Sequence, residues 1–140
     1  MQKDSNQIDL VGGSDFQLKL LAAVQQAIIA TDPSGAVTYW NGAAERLYLW
    51  TAKEAIGRDI MDLLLMEPLT ALAEQIMSQV REGDIWTGDF TVRRKDGKVL
   101  PISVTNSPIF GDGGAIIGIV GVSQDISERK RSEMELIESE

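Results

Sequence analysis

The chain has 140 residues, carries a net charge of −8 and contains neither cysteine nor histidine. The missing cysteine excludes disulfides and thiolate chemistry, and the missing histidine removes the commonest general base and metal ligand, so we expect no metal site. The acidic charge argues against binding to nucleic acid, which requires a basic face. No segment approaches the roughly 20 apolar residues of a membrane span, so we expect one soluble domain of ordinary size.

The first part of the chain predicts a leader followed by a helix. Residues 1–13 are polar and end in two glycines, as expected of a flexible leader. A capping-box pattern at residues 14–17 (SDFQ) then opens a helix over residues 14–26. The narrow apolar stripe of this helix, which is suited to lie across a sheet, consists of Phe16, Leu20 and Val24.

The next segment predicts a hairpin of two short strands, residues 27–31 and 36–40. Between them, residues 32–35 (DPSG) place proline at the second position of a turn, where its φ is already set. Asn41 follows directly and can cap a short helix that runs to Tyr48. The chain therefore passes from a hairpin into a helical segment.

Two more helices are predicted before the chain returns to strands. The capping box at residues 51–54 (TAKE) opens a short helix that ends at Gly57, where a positive φ is expected. A longer helix begins near Glu67, with Pro68 suited to its first position, and stops at Gly83. Because its apolar residues recur at helical spacing on one face, this helix is expected to pack beside a sheet.

The remaining chain predicts three strands and two tight turns. Residues 86–93 (WTGDFTVR) alternate as in a half-buried strand, and Asp96 and Gly97 form a hairpin turn in which both residues can take positive φ. The second strand covers residues 99–110, and a glycine-rich turn leads to the third strand. The third strand is apolar on both faces, so something outside the sheet must cover its second face. The residues on that face are Ile116, Val120 and Val122.

This order of elements predicts an α+β domain with a five-stranded antiparallel sheet, a helical wall on one face and the N-terminal helix on the other. We assign residues 14–127 to a single domain, with a cap helix over 14–26 and a core over 27–127, and residues 128–140 to the start of a C-terminal helix. The uncovered third strand predicts a homodimer, in which the N-terminal helix of the same chain or of a partner subunit covers that face.

Six blocks of the sequence resemble the recurring blocks of PAS domains, in the order and approximate spacing of that family. They are residues 31–35 (TDPSG), 40–45 (WNGAAE), 55–58 (AIGR), 86–89 (WTGD), 93–97 (RRKDG) and 125–130 (DISERK). The resemblance implies a cytoplasmic sensor or dimerisation module of a bacterial or archaeal signalling protein. Leu49 departs from it, because glycine is usual there. A branched side chain disfavours positive φ. We therefore expect the backbone between the two short helices to follow a different path from the one usual in PAS domains.

The leading hypothesis is a sensory module that binds a small ligand or cofactor in its core and relays the change to an output domain, such as a histidine kinase, outside this chain. The residues predicted to line a cavity between sheet and helices are Ile28, Ala30, Trp40, Leu47, Ile60, Leu64, Leu72, Ile76, Phe90, Val104, Asn106, Ile117 and Ile119. The alternative for each apolar residue is that it only fills the core. The corresponding alternative for the chain is a ligand-free dimerisation domain.

The resemblance also bears on cofactors, whose identity the sequence leaves open. Light-sensing relatives form a flavin adduct through cysteine, and haem-sensing relatives mostly bind iron through a histidine on the long helix; this chain has neither residue. Met66 or Met77 could ligate haem iron, but such residues are more often core. A redox sensor holding flavin adenine dinucleotide (FAD) without a covalent bond remains, and its candidate polar contacts are Ser103, Thr105, Asn106 and Gln124. An enzyme ranks last, because no catalytic constellation is present.

The end of the domain resembles the junction at which the last strand of a PAS domain passes to an output helix. By that resemblance, Asp125 is expected to pair with a basic group, with Arg129 or Lys130 as the local candidates. Ser127 is expected to cap the helix. The alternative is a solvated tail. The residues that fall roughly on one side of the helix are Ile126, Met134 and Ile137.

Overall fold

The structure, a computed structural model, describes residues 26–67 and 69–139, with side chains up to residue 136. The elements within these residues are, in chain order, β1 (Ala27–Thr31), β2 (Val37–Trp40), α1 (Gly42–Tyr48), α2 (Ala52–Ala55), α3 (Ile60–Leu64), α4 (Leu69–Arg81), β3 (Trp86–Arg93), β4 (Val99–Phe110), β5 (Ile116–Asp125) and α5 (Ser127–Ser139). A short 3₁₀ helix, Asp112–Gly114, joins β4 to β5. Residues 14–25 of the helix predicted over residues 14–26, including Phe16, Leu20 and Val24, lie outside the described residues.

The five strands form one antiparallel sheet in the order β2-β1-β5-β4-β3. The first and last strands therefore lie side by side near the centre of the sheet. Helices α1 to α4 fall between β2 and β3 in the sequence and pack against the sheet. This architecture confirms the predicted α+β class. Within the described part of the chain, no helix has the length and apolar character needed to cross a bilayer.

Cross-strand pairing decides which side chains share a face of the sheet. Ile29 lies opposite Gly121, on the side that meets the helices, which we call the helix face. Ile28 lies opposite Val122 on the other side, the outer face. The residues of the helix face that concern us are Ile29, Thr31, Val104, Asn106, Ile119, Gly121 and Ser123. Those of the outer face are Ile28, Ala30, Val120 and Val122.

Local sequence signals account for most of the helix ends. The Asn41 carboxamide accepts a hydrogen bond from the Ala44 amide at 2.9 Å, which confirms the predicted cap. The capping box that begins at Thr51 is formed in both directions, and Gly57 has the expected positive φ of 92°. Helix α3 is not predicted, because five residues are too few to show helical periodicity. Its cap is Asp59, whose carboxylate accepts a backbone hydrogen bond at 2.9 Å.

Leu49 contradicts the expectation that its branched side chain avoids positive φ. With φ at 68°, it is the only non-glycine residue of the described part in the left-handed conformation. Its amide donates to the Glu45 carbonyl at 3.0 Å and so closes α1. This conformation costs about 1–2 kcal/mol. The preceding residue is held in place because the Lys95 amide donates to the Tyr48 carbonyl at 3.0 Å, and this contact supports the strained link.

The turn between β3 and β4 differs from the prediction in one detail. Gly97 has a φ of 89°, whereas Asp96 does not take a positive φ. The Asp96 carboxylate accepts the Lys98 amide at 3.0 Å, and the Arg94 amide donates to the Lys98 carbonyl at 2.8 Å. The hairpin is therefore a longer loop with a single left-handed glycine, which is the next most common type after the two-residue turn.

Candidate functional site: a cavity between sheet and helices

A cavity of about 110 Å³ lies between the helix face of the sheet and helices α1, α3 and α4, and it opens partly to solvent. The predicted cavity residues that line it are Ile60, Leu64, Ile76, Phe90, Val104, Asn106 and Ile119. They come from two helices and three strands. Seven of the thirteen predicted residues therefore line the cavity.

The prediction that Ile28 and Ala30 line the cavity is wrong. Both residues lie on the outer face of the sheet, opposite Val122 and Val120. Strand β1 reads AIIAT and is apolar on both faces, so alternation does not show which face meets the helices. The residues that β1 contributes to the wall are Ile29 and Thr31.

Four other predicted residues also lie away from the cavity wall. Trp40 is 3% exposed, but it belongs to the core beside α1, where its ring centre is 5.9 Å from that of Tyr48. Leu47 packs against the same core. Leu72 and Ile117 are 47% and 57% exposed, so neither side chain reaches the interior. The assignment of these four residues to the cavity is corrected accordingly.

The sequence pattern misses the buried hydroxyl pair of the wall, Tyr48 and Ser123. The two hydroxyl oxygens are 2.6 Å apart. Burial raises the pKa of Tyr48 to about 12, with the hydrogen bond to Ser123 acting in the lowering direction and the Asp125 carboxylate in the raising one. The phenol is therefore protonated at neutral pH. No local signal marks this pair, because 75 positions separate the partners in sequence.

Two more polar side chains of the wall are Asn106 and Thr31. Asn106 is opposite Gly121, and its Oδ1 is 2.6 Å from where a Cβ of residue 121 would be, so glycine leaves room for the carboxamide. Thr31 is 4% exposed, and its Oγ1 has no hydrogen-bond partner within the described residues. Leaving a buried hydroxyl unpaired costs about 1–3 kcal/mol. The wall therefore retains hydrogen-bonding capacity.

The aromatic part of the wall depends on Trp86 and Gly88. Two ring carbons of Trp86 lie 2.9 Å from the position that a Cβ of residue 88 would take. The absent side chain at Gly88 therefore lets the indole lie close against β3. Trp86 lines the cavity together with Met61 and Met77. The sequence does not mark these three residues as wall residues, because tryptophan and methionine are common in ordinary cores.

A flavin does not fit this cavity. A cavity of about 150 Å³ holds one benzene ring, so a space of about 110 Å³ has no room for the three fused rings of an isoalloxazine or for a haem. Of the predicted polar contacts only Asn106 lines the cavity, since Ser103 lies opposite Gln124 and Thr105 opposite Val122 on the outer face. Among the described residues, no three His, Cys, Asp or Glu side chains cluster as metal ligands.

The junction between β5 and α5 differs from the expected arrangement. The Asp125 carboxylate accepts a hydrogen bond from the Ser127 amide at 2.7 Å. Ser127 is itself the first residue of α5, so the prediction that its hydroxyl caps the helix is wrong. Ile126 is 4% exposed and its amide donates to the Pro101 carbonyl at 3.1 Å. Asp125 therefore shapes the turn while Ile126 attaches the helix start to the core.

Arg129 and Lys130 of α5 pair with Asp89 on β3, and the predicted pairing with Asp125 is wrong. Arg129 Nη2 is 2.8 Å and Lys130 Nζ 4.0 Å from the same Asp89 oxygen. The physical reason is the face of the sheet: Asp125 lies opposite Ile102 on the helix face, whereas Asp89 projects from the outer face. All three charged side chains are about half exposed, so each pair contributes only about 0–1 kcal/mol.

Comparisons with known proteins match this fold. The family model described as the PAS fold matches residues 18–126. Sensor protein FixL of Bradyrhizobium diazoefficiens is 27% identical over 128 residues, which cover 85% of this chain and 24% of FixL. Sporulation kinase C of Bacillus subtilis is 26% identical over 89% of this chain and 29% of that protein. The chain therefore spans less than a third of either curated relative.

A solved structure gives the same result. The crystal structure of the PAS domain of a protein from Colwellia psychrerythraea superposes with a TM-score of 0.74. The two sequences are 29% identical, and the match covers 82% of this chain and 98% of that one. The likeness therefore extends over nearly the whole of that PAS domain.

Proposed function

The chain belongs to the PAS family, and from this premise we propose that it is the sensory module of a larger signalling protein. A small ligand enters the cavity, and the resulting change passes through β5 to α5 and then to an output domain outside this chain. The names of two relatives support this role, since one is a sensor protein and the other a kinase. We propose a histidine kinase or a similar enzyme as the output domain, and the cytoplasm as the location.

The observation that carries the proposal is the position of β5. Ile119, Gly121 and Ser123 on this strand line the cavity. The same strand ends at Asp125, which forms the turn into α5. A ligand that displaces Ser123 therefore displaces the start of α5 through a few consecutive backbone bonds. A rigid element that both sites contact can carry coupling of this kind.

We propose no catalytic activity for this chain. Among the described residues that line the cavity, Tyr48 is the only one that titrates in water, and its pKa of about 12 keeps it protonated at neutral pH. General acid–base catalysis is most efficient when the pKa lies near the working pH. The Tyr48 hydroxyl therefore holds Ser123 in place and is poorly suited to transfer a proton.

Replacing Asp125 by alanine is expected to abolish the response of the output domain in the full-length protein that contains this chain. The substitution removes the acceptor of the 2.7 Å hydrogen bond from the Ser127 amide, so the turn between β5 and α5 loses its fixed geometry. Output activity should be measured with and without the stimulus. Melting temperature is the wrong readout, because an exposed polar contact contributes little to stability.

Ser127→Ala is the matched control for that experiment. Ser127 contributes only its backbone amide to the bond with Asp125, and alanine keeps that amide. We therefore expect the Ser127→Ala protein to respond as the wild type does. A normal response in the Asp125→Ala protein would show that the signal does not pass through this junction.

We further propose that the chain forms a homodimer through the outer face of the sheet. Two apolar cross-strand pairs meet there, Ile28 with Val122 and Ala30 with Val120. Gln26 Nε2 lies 3.4 Å from Gln124 Oε1, so Gln26 lies beside this face of the sheet. The proposed occupant is a second copy together with its residues 14–26. The predicted dimer contacts on β5, all partly buried, are Ile116, Val120 and Val122.

Val122→Asp is expected to convert this dimer to a monomer, because burying an unpaired carboxylate in an apolar interface is costly. Light scattering after size-exclusion chromatography measures the mass directly. Thr38→Asp, at an exposed position of β2, is the control and should leave the dimer intact. Deleting residues 1–26 should cause aggregation or the same loss of the dimer. A folded dimeric Val122→Asp protein, or a monomeric wild type, contradicts the proposal.

A further inference from the structure

We infer that the cavity binds an uncharged compound with a single ring and one polar substituent, of about the size of phenol. This inference rests on the proposed sensory function and adds the chemical class of the ligand. Four properties of the wall lead to it: its volume, its lack of charge, its aromatic and sulfur-containing side chains, and its few polar groups.

The volume limits the ligand to one ring. Cavities that bind drug-sized molecules measure about 300–1,000 Å³, and one of about 150 Å³ accepts benzene. The cavity here measures about 110 Å³ and opens partly to solvent, so a single six-membered ring fills it. A second fused ring would have to displace wall residues or extend through the opening into solvent, where it gains less from the wall.

The absence of charge limits the ligand to neutral compounds. The described residues that line the cavity include no Asp, Glu, Lys or Arg. The one titratable group in the wall is the Tyr48 phenol, which is protonated at neutral pH. A carboxylate, phosphate or ammonium ligand would therefore lose its hydration without gaining a partner of opposite charge, which strongly disfavours binding.

The apolar part of the wall suits an aromatic ring. Trp86, Phe90 and Tyr48 supply ring surfaces, and Met61 and Met77 supply polarizable thioethers. Aromatic rings pack favourably against one another at offset or edge-to-face angles, and methionine sulfur makes favourable contacts with ring edges. A ring therefore gains more from this wall than an alkyl chain of the same volume.

The polar part of the wall favours one hydrogen-bonding substituent. The buried Thr31 hydroxyl has no partner among the described residues, and the Asn106 carboxamide lines the same cavity beside Gly121. The Tyr48 and Ser123 hydroxyls already bind each other at 2.6 Å. The Asn106 carboxamide can both donate to and accept from one hydroxyl substituent, whereas the largely apolar rest of the wall offers little to a heavily substituted ring.

Three probes test this class: phenol, benzoate and 2-naphthol. Each is titrated into isotope-labelled chain, with backbone amide shifts as the readout. Phenol is expected to shift the amides of Gly121, Ser123 and Asn106 in a saturable manner. Benzoate has the same ring with a charge, and 2-naphthol has the same hydroxyl with a second ring. Both are expected to bind at least about tenfold more weakly than phenol.

Val104→Phe places a ring inside the cavity, next to Ser123, and is expected to abolish phenol binding. Val99→Phe is the matched control: it makes the same change on the same strand at a position 52% exposed, and phenol binding should persist. Val104→Ala enlarges the cavity and should admit 2-naphthol. If the Val104→Phe protein does not fold, Val104→Ala still tests whether the volume of the cavity limits the size of the ligand.

The inference is overturned if benzoate or 2-naphthol binds as well as phenol, if phenol binds Val104→Phe and wild type equally, or if none of the probes shifts the cavity amides. It is also overturned if Val104→Ala excludes 2-naphthol as the wild type does. None of these results bears on the path from β5 to α5, which the comparison of Asp125→Ala with Ser127→Ala tests separately. Failure of the ligand class and failure of the sensory role are therefore distinguishable.

Discussion

Replacing Gly118 by alanine is expected to lower the free energy of unfolding by about 3 kcal/mol. A Cβ at this position would lie 2.5 Å from the carbonyl oxygen of Thr31, a backbone atom of the neighbouring strand. Because that oxygen cannot rotate away, β1 and β5 must separate at the centre of the sheet, next to the paired residues Thr31 and Ile119. Urea unfolding monitored by tryptophan fluorescence measures the loss.

Gly121→Ala is the control on the same strand. Its Cβ would meet a side-chain atom, Asn106 Oδ1, at 2.6 Å. Since the carboxamide can turn aside, this variant should lose only about 1 kcal/mol. Equal stability of the two variants would show that backbone crowding does not determine the requirement for glycine at residue 118.

Raising the pH from about 10 to about 12 is expected to destabilise the fold by roughly 2 kcal/mol through Tyr48 alone. Burial raises the pKa of this phenol from 10.0 to about 12 in the folded state. The unfolded chain therefore loses its proton first, and stability that is fully present below pH 10 falls as the pH rises through this window. Unfolding curves in urea at several pH values measure the slope.

Tyr48→Phe separates this effect from the general effect of alkali. The variant has no phenol to titrate, so its stability should fall less over the same pH range, although it starts lower because Ser123 loses its partner. Tyr39→Phe removes the other tyrosine, which is only partly buried, and should keep most of the steep decline. If Tyr48→Phe declines as steeply as the wild type, Tyr48 is not the group responsible.

Much of the fold could be predicted because its signals are local. The Asn41 cap, the capping box at Thr51 and the left-handed Gly97 each depend on a few neighbouring residues. Leu49 shows the limit of such signals. Its intrinsic preference is against positive φ, yet contacts of the adjacent residues with a distant hairpin hold it there. Tertiary contacts thus override a preference of about 1–2 kcal/mol.

The cavity residues could be predicted only in part. Whether a strand residue lines the cavity depends on which face of its strand meets the helices. Phe90 and Val104 lie on strands with a clear alternation and were assigned to the correct face. Ile28 was not, since β1 is apolar on both sides. The hydroxyl pair of Tyr48 and Ser123 is set by topology that brings α1 against β5, and no spacing in the sequence encodes such a contact.

Helix α5 is held to the domain by two kinds of contact, one buried and one exposed to solvent. Its start is anchored by Ile126, which is buried, whereas its next turn contacts β3 through Arg129 and Lys130, which share the Asp89 carboxylate in solvent. Salt near 1 M shortens the screening length to about 3 Å and weakens only the second kind of contact. We therefore expect a residue change at Asp89 to alter the angle between α5 and the sheet while the melting temperature of the domain stays the same. The angle between α5 and the sheet can then change without a change in the stability of the domain.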